Sequence, residues 1–215
     1  MLGMKKYFVK TPWWLKWIYS SYIWSVQTKE KIIYLSFDDG PHPAATPFVL
    51  DELKKYNAKA TFFCIGKNVV AEPGLYKRIL DEGHSVGNHT YNHFNGWKTK
   101  DEIYLEDVKE AGKFIDSSLF RPPYGRITSF QAKNISGALN RKDVKIIMWD
   151  VISADFDESL DGNECVQNVI LNAKNGSIIV CHDSGKALSR LKILLPAVLN
   201  FFEKRGFRFE RLEFF

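Results

Sequence analysis

Two carboxylates stand side by side in Ser36-Phe37-Asp38-Asp39-Gly40-Pro41, where the run Lys31-Ile32-Ile33-Tyr34-Leu35 ends. The run is apolar, β-branched and aromatic, and is stopped by Gly and Pro, so it reads as a buried strand. Adjacent acids at the mouth of a core strand repel each other and lose hydration, and a partner must offset that cost. A divalent metal is one such partner; a capped Asp-Gly-Pro turn is the plainer alternative. A second cluster, Asn88-His89-Thr90-Tyr91-Asn92-His93, sets two imidazoles four residues apart, able to meet on one side of a helical turn or in a tight loop. Joined to Asp39, His89 and His93 make a three-ligand set with coordination left open for water, the pattern of a catalytic zinc. Asp38 then lies beside the metal without binding it, where a general base for an activated water belongs.

The elements that must position these groups alternate along the chain. Strand-like runs recur near Lys31–Phe37, Ala60–Ile65, His84–Gly87, Ser118–Phe120, Val144–Trp149 and Gly176–Cys181. Helical patterns fall between them: Thr46 to Tyr56, Glu72 to Glu82, the face Tyr104, Val108, Ala111 and Ile115, and the longer face Leu188, Leu191, Leu195, Val198 and Phe202. Strand–helix alternation implies an α/β domain with a largely parallel sheet. The chemical candidates follow strands, which places them on the C-terminal rim of a β/α barrel or an open sheet. Pattern alone leaves those two closures open.

Four motifs stand in order from Lys31 to the C-terminus: Ser36–Pro41, His89–His93, Arg121-Pro122-Pro123-Tyr124-Gly125 and Ile178-Ile179-Val180-Cys181-His182-Asp183. Together they resemble the motif series of the NodB-type polysaccharide deacetylases, carbohydrate esterase family 4. The resemblance implies an irregular (β/α)7 barrel with its site at the C-terminal ends of the strands. It also implies a metal-dependent hydrolase that removes N-acetyl groups from a sugar polymer or oligomer such as peptidoglycan or chitin, releasing acetate and a free amine. Position by position, it makes Asp38 the base and Asp39, His89 and His93 the metal ligands. Arg121 positions the base, and the Tyr124 backbone N–H helps hold the oxyanion. His182 is the acid and Asp155 its orienting carboxylate. Pro122, Tyr124, Phe156 and Trp97 border the substrate, Trp97 as a platform for a sugar ring.

The chemistry is coherent without the family. An acetamide has a poor leaving group, so an expelled amine needs a separate acid, and a histidine holds a proton near neutrality. The implied cofactor is Zn²⁺, with Co, Ni, Mn or Fe as alternatives for the same ligands. The fourth family motif commonly has Asp three residues before Asp155 and Trp after it; this chain has Ile152 and Phe156. Phe156 can still wall an acetyl pocket, and the departures bear on substrate preference. Three other readings stay open: a catalytically weak carbohydrate-binding relative, a hydrolase of a small non-sugar amide, and a non-haem iron oxygenase using the same triad. The last leaves Asp38, Arg121 and His182 without a task.

At 215 residues the chain is long enough for one well-buried core. A net charge of +5 is mild, and no dense basic stripe marks a nucleic-acid partner. Cys64, Cys165 and Cys181 lack metal-ligand spacing, and at least one must be unpaired. Residues 1–30 read as an aromatic helical segment packing on the domain, and 31–215 as the catalytic domain. Lys5 and Lys6 precede Trp13-Trp14-Leu15-Lys16-Trp17-Ile18-Tyr19, which is interrupted by Lys16 and followed by no cleavage site. It does not read as a signal peptide and is too short to span a bilayer. Thr11-Pro12 reads as a helix N-cap followed by proline at the first helical position. The short helix covers one end of the domain or lies in a membrane interface, the first being the favoured expectation. A monomer in the cytoplasm or at the membrane periphery is expected.

Overall fold

The computed structural model describes residues 7–213. The strands are β1 (Ile32–Asp38), β2 (Ala60–Cys64), β3 (Ser85–Asn88), β4 (Leu119–Phe120), β5 (Lys145–Ile146), β6 (Val151–Ile152), β7 (Ile178–His182) and β8 (Arg208–Phe209). The helices are α1 (Trp13–Ile18), α2 (Ala45–Lys55), α3 (Gly66–Ala71), α4 (Pro73–Asp81), α5 (Asp101–Gly112), α6 (Ser129–Ala138), α7 (Gly162–Ile170) and α8 (Leu188–Glu203), with a 3-10 turn at Pro123–Gly125. The strands run β5-β4-β3-β2-β1-β7-β6, every pairing is parallel, and β8 joins the start of β1. Seven strands thus form a curled α/β half-barrel, the irregular (β/α)7 architecture expected.

The longest strands carry the sheet's centre because both their faces are covered. Along β1, Ile33, Leu35 and Phe37 are buried against α2, α8 and β2, while Ser36 and Asp38 point to the other side. Phe37 stacks on Phe62 of β2 with ring centroids 5.2 Å apart. The helices pack through Val49, Leu50 and Leu53 of α2 and Leu191, Leu195, Val198 and Phe202 of α8. This burial dominates the folding free energy.

The run Val144–Trp149 is a strand only at Lys145–Ile146; the chain then bends, and Val151–Ile152 forms a separate strand against β7. The two-residue strands β6 and β8 are too short to show a period, and α3, α6 and α7 also escaped the pattern reading. For α6 and α7 the overlooked signal was local: Thr128 with Gln131, and Asp161 with Glu164, form capping boxes. Helix α5 ends at Gly112, so Ile115 packs from beyond it.

β5 and β6 are the two ends of the sheet, and the N-terminal segment bonds to both. Ile23 N donates to Ile146 O and Met148 N to Ile23 O on one side; Thr11 N donates to Asp150 O and Ile152 N to Val9 O on the other. Helix α1 begins at Trp13, not after a Thr11 cap: the Thr11 hydroxyl donates to Trp149 O at 2.7 Å, and Pro12 occupies the cap position with no side-chain bond. Lys5 and Lys6 lie outside the described residues. Asp150, almost fully buried, accepts from Lys10 Nζ at 2.6 Å, from Lys16 Nζ and from Ser177 Oγ. Replacing Asp150 with Ala leaves two half-buried ammonium groups unmatched. It should cost about 2–3 kcal/mol in a urea titration and open residues 7–26 to limited proteolysis; unchanged stability would show the segment is anchored elsewhere.

Candidate active site

Every predicted site residue except Trp97 sits on or just after a strand end, on one rim. Asp38 ends β1 and Asp39 follows; His89 follows β3; Arg121 follows β4; His182 ends β7; Asp155 comes three residues after β6. Asp38 and His182 are direct register partners on neighbouring parallel strands, so both side chains face the same side.

Asp39, His89 and His93 bring one ligand atom each to within 4.8 Å of one another. The two histidines lie on a tight loop rather than a helical turn. Thr90 and His93 take φ values of 63° and 62°, and Asp39 takes 79°. His93 Nε2 is 3.1 Å and His89 Nε2 3.7 Å from Asp39 Oδ1, yet that buried oxygen accepts no hydrogen bond. The His89 Nδ1–H donates to Arg121 O at 2.7 Å, which leaves Nε2 with its lone pair free. Burial drives the His89 pKa down to about 4 despite the pull of Asp38, so the ring is neutral as a ligand must be. Burial works against ionising Asp39, but the His93, His182 and His89 rings outweigh it and hold the carboxyl below its usual range. An orphaned anionic oxygen facing two available imidazole nitrogens fits a divalent cation.

Arg121 is wholly buried beneath this set. Its Nη1 donates to Asp38 Oδ1 at 2.6 Å and to Ser36 Oγ at 2.8 Å; Nε and Nη2 donate to Ile147 O and Met148 O at 3.1 and 3.0 Å. Its guanidinium lies 4.0 Å from the Phe63 ring centroid. Asp38 Oδ2 stays 4.0 Å from His89 Nε2, beside the ligand set rather than in it.

On the opposite flank Asp155 grips His182 twice. His182 Nδ1 lies 2.7 Å from Asp155 Oδ1, and the His182 backbone N–H donates to Oδ2 at 2.8 Å. Burial disfavours the charged ring, but Asp155 outweighs it and, with Asp39 and Asp38 adding, pushes the His182 pKa up to about 9. Phe156 packs edge-on against His182, with ring centroids 5.3 Å apart. Tyr124 bends at φ 60° in the turn after Pro122, and its ring meets His93 edge-on at 4.7 Å. Gly125 is required there: φ is +64° and a Cβ would come 2.7 Å from Trp149. Trp97 lies further out, its Nε1–H donating to Ile127 O and Arg126 covering one ring face at 4.1 Å. Ile152 lines the same cavity as Trp97 and Tyr124.

Several supporting residues escaped the sequence reading. Asp183 accepts from Gly40 N at 3.1 Å and from the Thr46 hydroxyl at 2.5 Å, pinning the turn that carries Asp39. A Cβ on Gly40 would lie 2.0 Å from that carboxylate. Asp107 accepts from Tyr91 N, Asn92 N and Asn92 Nδ2, which shapes the histidine loop. An acid on the apolar side of the Tyr104–Val108 helix was the available signal. All three cysteines are unpaired and buried, with burial raising the thiol pKa values, as inert core residues require.

A half-barrel of parallel strands with a carboxylate–imidazole cluster at its C-terminal rim defines a hydrolase-type α/β protein. The model of the polysaccharide deacetylase family matches residues 25–146. The chain is 39% identical over 192 residues to a peptidoglycan-N-acetylglucosamine deacetylase of Bacillus cereus, covering 86% of this chain and 88% of the relative. It is 29% identical over 209 residues to a chitooligosaccharide deacetylase of Azorhizobium caulinodans, covering 87% and 95%. A solved peptidoglycan N-acetylglucosamine deacetylase, in complex with 4-naphthalen-1-yl-N-oxidanyl-benzamide, superposes with a TM-score of 0.83 at 31% identity, covering 94% of this chain and 95% of the other. The chain belongs to the polysaccharide deacetylase family.

His93→Ala should abolish stoichiometric zinc binding in calorimetric titrations of metal-free protein. Asp107→Ala, which only loosens the loop, should weaken it about 10–100-fold. Unchanged affinity in the His93 variant would remove that loop from the metal site.

Proposed function

We propose that the chain hydrolyses the acetamide of N-acetylglucosamine residues in a glycan, giving acetate and a free amine. The observation that carries this is the pairing of two unlike flanks across one opening: Asp38 paired to buried Arg121, and His182 held protonated by Asp155. Relatives from two organisms act on sugars in peptidoglycan and in chitooligosaccharides, which supports a glycan substrate over a small amide. All site residues come from one chain, which supports a monomer as the active unit.

Asp39, His89 and His93 would hold the cation; two imidazoles and one carboxylate suit Zn²⁺, with Co, Ni, Mn or Fe(II) as competitors. Bound there, a divalent metal polarises a carbonyl and acidifies water. The rest is done by the chain. Asp38 takes the proton from the attacking water while Arg121, fixed by two backbone carbonyls and Ser36, keeps the carboxylate aimed. The tetrahedral oxyanion requires a fixed donor, and we assign the Tyr124 N–H, held out by the turn at Pro122–Gly125. His182, protonated at neutral pH, gives its proton to the departing amine. Phe156 excludes water beside His182, and Pro122, Tyr124 and Trp97 form the wall along which the sugar lies.

Asp38→Asn should reduce acetate release from N-acetylglucosamine oligomers by about 10²–10⁴-fold while still binding zinc; full activity would exclude Asp38 as the base. The acid must carry a proton, so kcat/KM should fall as pH rises through about 9, the raised His182 value. Asp155→Asn removes the anion that raises it, so that alkaline limb should move to lower pH. A limb that stays in place would assign the proton to another group.

A further inference from the structure

The N-terminal segment turns its apolar side outward. Trp13 and Trp17 are 78% and 75% exposed, and Phe8, Trp14, Ile18 and Tyr19 between 41% and 58%. Helix α1 buries none of its residues. Its one charged side chain goes the other way, with Lys16 pairing to buried Asp150. This reverses the usual amphipathic arrangement, in which charge faces water and the apolar stripe faces the core. The segment is held by its backbone bonds to both sheet ends and by Lys10, Thr11 and Lys16, so the exposed rings contribute little to the fold. Three of the chain's six tryptophans, Trp13, Trp14 and Trp17, lie on this surface. A concentrated exposed apolar surface marks an interaction site.

Its chemistry selects the occupant. Residues 1–26 contain Lys5, Lys6, Lys10 and Lys16 and no Asp, Glu, Asn or Gln. A saccharide site needs carboxylates or amides to hold hydroxyls, and Ile18 offers no flat ring to stack on. A bilayer interface asks for indole and phenol rings at headgroup depth and no acid to be repelled, and residues 1–26 supply both; Lys10 and Lys16 pair with Asp150, so attraction to anionic lipid falls to Lys5 and Lys6 of the sequence. We propose that the Phe8–Tyr19 surface seats the protein on an anionic membrane. The surface adjoins the site, because Trp14 and Tyr19 line a cavity of about 350 Å³ together with Trp97 and Tyr124. Docking therefore brings the cavity rim next to the lipid headgroups.

The test is co-sedimentation of the full chain with vesicles of phosphatidylcholine alone or mixed with phosphatidylglycerol. The comparison is a variant carrying Trp13→Ala, Trp17→Ala and Ile18→Ser, all three exposed and outside the catalytic machinery. Wild type should sediment with the mixed vesicles, and the variant should bind them at least about tenfold more weakly with the same melting temperature and the same acetate release from soluble oligomers. Wild type remaining in the supernatant at both compositions, or equal binding by the variant, would overturn the proposal. So would a dimer that the variant converts to monomer without any vesicle binding, which would assign the surface to a second copy. Vesicle binding is read without turnover, so its failure is separate from failure of the deacetylase reading.

Discussion

A guanidinium sealed from water governs this structure. Arg121 cannot shed its proton, so its burial is tolerated only because four of its N–H bonds end on Asp38, Ser36, Ile147 and Met148. Those partners come from β1 and from the bend between β5 and β6, so one side chain ties the sheet's centre to its end. Its own carbonyl holds the His89 ring in one tautomer. The Asp38 carboxylate, the orientation of the His89 ring and the sheet's curvature thus share a single anchor. Lysine cannot replace it, because only a planar fork reaches carboxylate, hydroxyl and two carbonyls at once.

Around that anchor, identical residue types are driven to opposite protonation states. His89 stands 3.7 Å from Asp39 and 4.0 Å from Asp38 and is still driven to neutrality by burial; His182 is gripped by Asp155 and stays charged near pH 7. Opposite protonation states of one residue type follow from environment rather than from residue identity. The rim that holds them is conformationally costly. Asp39, Thr90, His93, Tyr124 and Ala154 all have positive φ, a conformation that persists only where surrounding bonds over-determine it. Asp183 and Asp107 provide that restraint, each accepting backbone N–H groups from a site loop.

The open seam of the half-barrel explains the N-terminal segment. β5 and β6 do not pair with each other, and their backbone groups would otherwise face solvent. Residues 9–11 and Ile23 satisfy them, with Asp150 drawing Lys10 and Lys16 inward. The consequence is a helix whose outer surface is aromatic. Among the described residues no helix is long and apolar enough to cross a membrane.

Residue order alone carried the parallel α/β class, the long strands β1, β2 and β7, and the motif residues, because adjacent acids, paired histidines and apolar runs ending in Gly or Pro are local signals. It also showed the departures at Ile152 and Phe156. The two-residue strands β6 and β8 lay below any period; α3 has only six residues and α6 a weak stripe, while α7 was missed although its apolar stripe is clear. Thr46, Asp107 and Asp183 look like ordinary polar residues until folding sets them against a backbone N–H. Barrel closure, the loop conformation of His89–His93 and the seam filled by residues 9–26 were decided by tertiary structure. Closure and the seam depend on hydrogen bonds between distant segments, such as Lys10 with Asn172, 162 residues on, and the histidine loop on Asp107, 15 and 16 residues beyond Asn92 and Tyr91.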